Sequence, residues 1–194
     1  MAYNITLEGK NKVIAERMLK KMATIFDRCN IDYWIEGGTL LGIKRENRLL
    51  PWDNDVDMSM NHDQLDKLDC FYSELKKAGY RTRTRYFDKT SEFFTKGNIR
   101  MLKIRERRFF GLIKGAVCLD VFIKYEHGGN SYWEIDNKTK FVPSKFYRTF
   151  DHITFKGFDY KIPALTEEYL SYRYGDWQKQ VKNWDTSKDD NAIA

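Results

Sequence analysis

Residues 52–60, Trp-Asp-Asn-Asp-Val-Asp-Met-Ser-Met, constrain the fold of this chain more than any other stretch. Asp53, Asn54, Asp55 and Asp57 stand among the apolar Trp52, Val56 and Met58, where like charges repel and burial is costly. On a strand, side chains two apart face the same way. Asp55 and Asp57 then project together, their α-carbons roughly 6.6 Å apart, with Val56 and Met58 on the opposite face. Two arrangements satisfy that pattern: a solvated turn of acids, or a strand whose carboxylates meet a cation.

A second apolar run favours the cation. In Val-Cys-Leu-Asp-Val-Phe-Ile, residues 117–123, Asp120 is the only charged side chain. A buried, unpaired carboxylate costs several kcal/mol, so it needs a partner, and a loop of turn-forming acids does not explain it. Asp55, Asp57 and Asp120 are therefore expected to converge from separate strands as ligands of a divalent cation, Mg²⁺ or Mn²⁺. Hard Mg²⁺ takes one or two carboxylates plus water and substrate phosphate. Two such ions about 3.5–4 Å apart can clamp both ends of a phosphoryl transfer.

Gly37, Gly38 and Thr39 precede the acids at a strand-to-helix junction. Their backbone N–H groups can approach an anion, helped by the helix N-terminus, although a plain tight turn uses the same residues. Lys44, Arg45 and Arg48 follow, suited equally to balancing phosphate and to ending a helix in solvent. Trp52 fits a pocket wall or the core, and Tyr174 and Trp177 read as packing residues that close the domain.

Around these residues the apolar spacing sets out the elements. Ala15, Leu19, Met22 and Phe26 recur at helical intervals across 8–29, with Asn30 as a stop. A strand over 31–36 runs into the glycines, and Thr39 is placed to cap a helix over 40–47. Residues 55–60 form a buried strand. Asn61 then caps a helix, with Gln64 reaching back and Leu65, Leu68, Tyr72 and Leu75 as its apolar face, and Gly79 ends it. From Tyr80 to Lys124 the period changes to two, giving strands over 81–87, 98–106 and 116–125. A strand over 131–136 follows, then a hairpin of 152–155 and 158–162 turning at Lys156 and Gly157. Thr166 caps a last helix closed by Gly175, and a polar tail over about 185–194 is expected to fray. The fold class is α+β: a mixed sheet flanked by helices, one domain across residues 1–194, a length that suits a single core.

The formal charge of +6 concentrates in residues 81–108, where ten Lys or Arg face three acids. Charge alone does not choose among nucleic acid, anionic lipid and a phosphorylated small molecule. The alternating Arg81, Arg83 and Arg85 suit an anion funnel or an edge strand blunted by charge. Cys29, Cys70 and Cys118 are scattered singly, which argues against a disulfide framework and a structural zinc site and suits a reducing cytosol. No stretch approaches the ~18 apolar residues of a membrane span, and the first residues lack an apolar leader. A cytoplasmic protein is expected, docked if anywhere on the inner face of a membrane. His62, His127 and His152 show no metal-ligand spacing, so positioning and metal electrostatics lead over covalent catalysis.

Gly38-Thr39 at a helix start, Asp55 and Asp57 about seventeen positions on, and Asp120 on another strand resemble the nucleotidyltransferase superfamily active site. More narrowly, residues 36–58, EGGTLLGIKRENRLLPWDNDVDM, are similar to the LicD and fukutin family signature, and residues 167–177, EEYLSYRYGDW, resemble its closing segment. The likeness is close over residues 33–60 and loose over 117–177. One departure is Asn54, which replaces the middle Asp of the usual triplet and is expected to point away from the Asp55/Asp57 face. The resemblance implies a nucleotidyltransferase-like fold and transfer of a phosphoryl-linked alcohol, such as phosphocholine or ribitol phosphate, from a CDP-linked donor to a sugar hydroxyl of a glycan, with release of CMP. It implies that Asp55 and Asp57 bind the metal bridging the diphosphate, and that Asp120 completes that site or accepts the acceptor's proton. Gly37, Gly38 and Thr39 would hold phosphate beside Lys44, Arg45 or Arg48, with Trp52 and Asp53 in the substrate pocket.

A second reading keeps this site and changes the donor, moving NMP from an NTP to a small molecule, protein or RNA end. A third, a basic nucleic-acid-binding module, rests on residues 81–108 alone and leaves the carboxylates unexplained. So short a chain leaves little room for an acceptor domain, so a partner protein or a membrane surface is expected to present the acceptor.

Overall fold

In the computed structural model, which describes residues 4–108, 112–181, 184–186 and 188–194, the alternating residues of the central strands sort onto two faces of one sheet. The elements are α1 (Gly9–Arg28), β1 (Tyr33–Ile35), α2 (Gly37–Glu46), β2 (Val56–Asn61), a 3₁₀ segment (His62–Lys67) leading into α3 (Leu68–Lys77), β3 (Tyr80–Tyr86) and β4 (Ile99–Arg108). There follow β5 (Ile113–Lys114), β6 (Leu119–His127), β7 (Asn130–Ile135), β8 (Lys138–Pro143), a 3₁₀ turn (Ser144–Tyr147), the β9 (Phe150–Phe155) and β10 (Phe158–Pro163) hairpin, and α4 (Thr166–Tyr174). The main sheet runs β1-β2-β6-β4-β3, with β5 on β4 and the β7–β8 pair extending β6. Among the described residues only β2 with β6 pairs in parallel, so the sheet is mixed and the α+β single-domain expectation holds.

On one face Val56, Met58 and Met60 of β2, Leu119, Val121 and Ile123 of β6, and Leu102 and Ile104 of β4 are fully buried. Helix α1 presents Met18, Leu19, Met22 and Phe26 to this core, and Phe26 stacks on Phe71 of α3 at 4.4 Å and on Tyr33 of β1 at 5.2 Å. Each such side chain contributes about 1.5–3 kcal/mol on burial. That one-sided apolar set fixes the strand register, because a slip of one residue would bring the acids into the core.

Several local expectations are corrected. Helix α2 starts at Gly37, two residues before Thr39, because Gly37 adopts φ +59° and turns the chain directly off β1. The Thr39 hydroxyl is free of capping and accepts the Asp57 backbone N–H at 2.9 Å. Gln64 does not close a capping box either; its amide grips both backbone groups of Asp32, at 2.7 and 3.0 Å. Strand β8 is additional to the expected strands: Asp136 and Asn137, with φ +48° and +62°, make the two-residue turn that folds it back on β7.

The cysteine expectation is also corrected. Cys29 at the end of α1 and Cys70 on α3 form a disulfide, because the stacking of the two helices brings their α-carbons to 5.8 Å. This bond removes the cysteine argument for a reducing cytosol. The closing segment is docked rather than frayed at its far end. Phe141 N–H donates to Ala192 C=O at 2.7 Å, Ala194 N–H to Thr139 C=O at 3.1 Å, and Asp190 is 2% exposed. No helix among the described residues is long and apolar enough to cross a membrane.

Candidate active site

The polar face of the sheet is built by strand register. Parallel pairing sets Asp57 of β2 directly opposite Asp120 of β6. Antiparallel pairing then sets Lys103 of β4 opposite Asp120, and Arg83 of the edge strand β3 opposite Lys103. One row therefore crosses four strands as Asp57, Asp120, Lys103 and Arg83, with about 4.8 Å between neighbours. Arg105 and Arg81 form the row on the Asp55 side, and Phe122, Met101 and Arg85 the row beyond. This face lines a cavity of about 1030 Å³. The three predicted carboxylates line one wall: Asp57 and Asp120 from adjacent strands, and Asp55 from the bend just before β2, one residue short of the strand the sequence had placed it on.

The glycines make this approach possible. A Cβ on Gly37 would lie 2.5 Å from Asp57 Oδ2, and one on Gly38 would lie 2.1 Å from Asp53 Oδ2. Both glycines line the cavity beside the acids. Thr39 does not; it is 2% exposed and anchors β2 through Asp57. The loop that carries Asp53 and Asp55 is pinned by buried Leu49 and Leu50 and by the Leu7 N–H, which donates to Asp53 C=O at 2.9 Å.

Among the described residues no side chain donates a hydrogen bond to the Asp55 or Asp57 carboxylate. Burial, with the charges of Asp120 and Asp53, pushes the Asp55 carboxyl up to about 8. Burial and the neighbouring Asp55, Asp53 and Asp120 raise Asp57 well above its ordinary value. Partial burial, opposed by one backbone donor at Asn54, raises the half-buried Asp53 to about 6. Asp120 is held differently: Lys103 Nζ donates to its Oδ2 and Cys118 Sγ to its Oδ1 at 3.1 Å.

Among the described residues no three acidic, histidine or cysteine side chains already stand as a closed ligand cage. Two adjacent carboxylates without protein donors, opening on a polar cavity, are nevertheless the set of hard oxygens that Mg²⁺ takes when water and substrate phosphate complete its shell. Asp55 and Asp57 fit that role.

Other expected ligand contacts resolve differently. Arg45 lines the cavity, but its guanidinium is committed to Glu46 and to the carbonyls of Trp177 (3.1 Å) and Lys179 (3.3 Å), so it clamps the segment after α4. Lys44 pairs with Glu167 at 3.1 Å and Arg48 with Glu46, and neither lines the cavity. Trp52 is in the wall, and so is Asn54, which the sequence had turned away. Tyr174 and Trp177, read as packing, also face the cavity.

Beneath the wall lies a buried network that sequence reasoning missed. Glu36, 2% exposed, accepts hydrogen bonds from Lys124 Nζ (2.8 Å), Tyr169 (2.9 Å), Tyr147 (3.1 Å), Arg173 (3.3 Å) and Ser59. Burial opposes its ionisation, yet Lys124 and Arg173 hold it below the ordinary carboxylate range. Burial lowers Lys124 to about 7 against the pull of Glu36, and its ammonium sits 3.3 Å from the Trp133 ring centroid. Arg173 passes the network on to Asp190, which also binds Lys140 at 2.6 Å. The Glu36 N–H donates to Asp57 C=O at 3.2 Å, so the network ties α4 and the closing segment to the carboxylate strand. A lone Lys124 within a buried strand was the available signal.

The family described as LicD/FKTN/FKRP, nucleotidyltransferase domain, matches residues 30–165, which contain Gly37, Gly38, Asp53, Asp55, Asp57 and Asp120 of the cavity wall. This chain belongs to that family. Among LicD/FKTN/FKRP relatives, human ribitol-5-phosphate transferase FKTN is 28% identical over 177 residues, covering 88% of this chain and 34% of that protein. An uncharacterized protein of Rickettsia prowazekii (strain Madrid E) is 24% identical over 180 residues, covering 92% of this chain and 58% of its own length. Lipopolysaccharide cholinephosphotransferase LicD of Haemophilus influenzae is 29% identical over 66 residues, 34% of this chain and 25% of that one. The chain therefore spans less than two thirds of each of these relatives. Arg173, Trp177 and Asp190 fall beyond the stretch matched to the LicD/FKTN/FKRP family.

Proposed function

We propose that this chain is the catalytic unit of a transferase that moves a phosphoryl-linked alcohol from a CDP-activated donor to a hydroxyl of a glycan, releasing CMP. The observation that carries this reading is the register of Asp57 against Asp120, with Asp55 alongside and Lys103 and Arg105 on the next strand, all on one cavity wall. The activities of these relatives, ribitol-phosphate and cholinephosphate transfer, support the choice of a phosphoryl-alcohol as the group moved.

Asp55 and Asp57 would hold Mg²⁺ or Mn²⁺, with Asp120 completing the site or taking the acceptor's proton. When bound, the ion supplies charge for the diphosphate and for the leaving CMP oxygen. The chain's own residues do the rest. Gly37 and Gly38 keep the backbone close to the carboxylates. Lys103 and Arg105 neutralise phosphate oxygens from β4, the strand beside Asp120 on the same wall. Trp52 and Tyr174 offer aromatic faces on which a cytosine ring can stack, a contact worth about 1–3 kcal/mol per base. The basic strands share one cavity wall with the acids, so the cationic segment is accounted for without a nucleic-acid partner.

Thermal shift separates this reading from NMP transfer. CDP-alcohols with Mg²⁺ are expected to raise the melting temperature, and NTPs are not; stabilisation by one NTP and by no CDP-alcohol would favour the second reading.

A further inference from the structure

Antiparallel strands of this chain turn on polar residues and glycine: Gly128 and Gly129 between β6 and β7, Asp136 and Asn137 between β7 and β8, and Lys156 and Gly157 between β9 and β10. The β4–β5 connection departs from that pattern. In sequence, residues 107–114 read Arg-Arg-Phe-Phe-Gly-Leu-Ile-Lys, large apolar side chains between basic ones. Leu112 is 86% exposed and its neighbour Ile113 50% exposed, so both face water rather than protein. Single exposed apolar side chains are ordinary, whereas an adjacent pair rimmed by charge marks a contact surface.

Register shows what surrounds the pair. Arg107 lies opposite Lys114 across the β4–β5 ladder; both are exposed, and among the described residues neither makes an ion pair. At the foot of the hairpin Glu106 binds Arg17 of α1, and Val13, one turn earlier on the same face of that helix, is 61% exposed. The hairpin is anchored to the sheet. The Arg105 guanidinium donates to Gly115 C=O at 2.8 Å and to Ala116 C=O, and the Arg107 N–H donates to Gly79 C=O at 2.8 Å. Lys114 also lines the cavity, so the apolar pair stands at its rim. A stable protein interface takes about 20–30 residues a side, far more than this tip offers. A bilayer surface asks for less: a few apolar side chains enter the headgroup layer, and each nearby Lys or Arg adds attraction to anionic lipid. Arg107 and Lys114, without acids of their own, supply that complement.

We infer that the β4–β5 hairpin is the site by which this chain docks on a bilayer surface carrying anionic lipid. Leu112 and Ile113 enter the headgroup layer, Arg107 and Lys114 pair with its anionic groups, and the rim of the cavity is brought against the surface. For the transferase reading above, the consequence is an acceptor delivered to the carboxylates from the membrane side. The docking itself needs no donor and stands apart from that reading.

The test is co-sedimentation of the native chain, of the L112S/I113S variant and of the R107Q/K114Q variant with vesicles of phosphatidylcholine alone, or of phosphatidylcholine and phosphatidylglycerol in equal parts. The four side chains are exposed, so the core is untouched, and circular dichroism with thermal melting checks that each variant folds as the native chain does. The native chain is expected to sediment with the mixed vesicles and to stay in solution with phosphatidylcholine alone. Each variant is expected to bind the mixed vesicles about tenfold more weakly. A native chain that sediments with neither kind of vesicle, or equally with both, overturns the inference. Binding by L112S/I113S as tight as the native chain's also overturns it, assigning the attraction to charge elsewhere on the surface. Self-association of the native chain that L112S/I113S abolishes, without vesicle binding, overturns it too and gives the pair to a second copy of the chain.

Discussion

Asp57 and Asp120 face each other across two parallel strands, and neither the helix layer nor the disulfide lies between them and the cavity. Parallel pairing is the decisive element, because β2 and β6 are separated by two helical segments and two long antiparallel strands in the chain. Bringing two acids together in this way costs electrostatic energy, which Lys103 offsets at Asp120 and which the proposed dication would offset further.

That repulsion can be measured. Asp57→Asn removes one of the facing charges, and without metal the variant is expected to melt a few degrees higher, about 1 kcal/mol for a chain of this size. It should lose the Mg²⁺-induced rise in melting temperature and at least ~100-fold in transfer rate. Calorimetry with and without Mg²⁺ reads the first two effects. A variant that is less stable without metal and still responds to it would contradict the assignment.

Gly37→Ala meets both a left-handed backbone and the Asp57 carboxylate 2.5 Å from the new Cβ. A loss of about 1–3 kcal/mol and of activity is expected. Gly79→Ala is the control, since Gly79 has φ +81° with open space around its Cβ position. It should show the backbone strain in its melting temperature and leave transfer intact.

Asp190 tests the buried network. Burial opposes its ionisation, but Arg173 and Lys140 hold its carboxyl well below the ordinary value. The folded form is the one with the depressed pKa, so the stabilisation is complete above the unfolded value near 3.9 and disappears as pH falls below it. Asp190→Asn leaves Lys140 buried without its carboxylate and should cost about 3–5 kcal/mol at pH 7. The gap between native and variant melting temperatures should narrow below about pH 4; a gap independent of pH would rule out the ion pair as its source.

The disulfide closes a sequence separation of 41 residues. Chain entropy for such a loop gives about 4 kcal/mol. Reductant, or Cys70→Ser, should therefore lower the melting temperature by roughly 10 °C. Transfer is expected to persist at lower temperature, because neither cysteine lines the cavity.

Much of this was legible in the residues. Asp55, Asp57 and Asp120 announced themselves as charges in apolar strands, a pattern with few stable solutions. The period-two arginines marked β3, and the alternation on β2, β4 and β6 predicted which side would be core. What stayed hidden depends on tertiary approach. Glu36 reads as an ordinary acid before two glycines until Lys124 and Arg173, far along the chain, close over it. Cys29 and Cys70 carry no motif, since only the stacking of α1 on α3 aligns them. Arg45 and Arg48 look like phosphate ligands in sequence, and Glu46 beside them captures both. The closing segment is polar, yet Asp190 is drawn inward by two buried cations that lie outside it.

The most direct measurement of the central claim is a mass-spectrometric assay with Mg²⁺, CDP-choline, CDP-ribitol, CDP-glycerol, CDP-ethanolamine and the four NTPs, each with a glycan acceptor. CMP release from one CDP-alcohol, matched by acceptor mass gain and lost in Asp57→Asn, is the predicted result. Pyrophosphate release from an NTP, or no release from any donor by the folded protein, would contradict it.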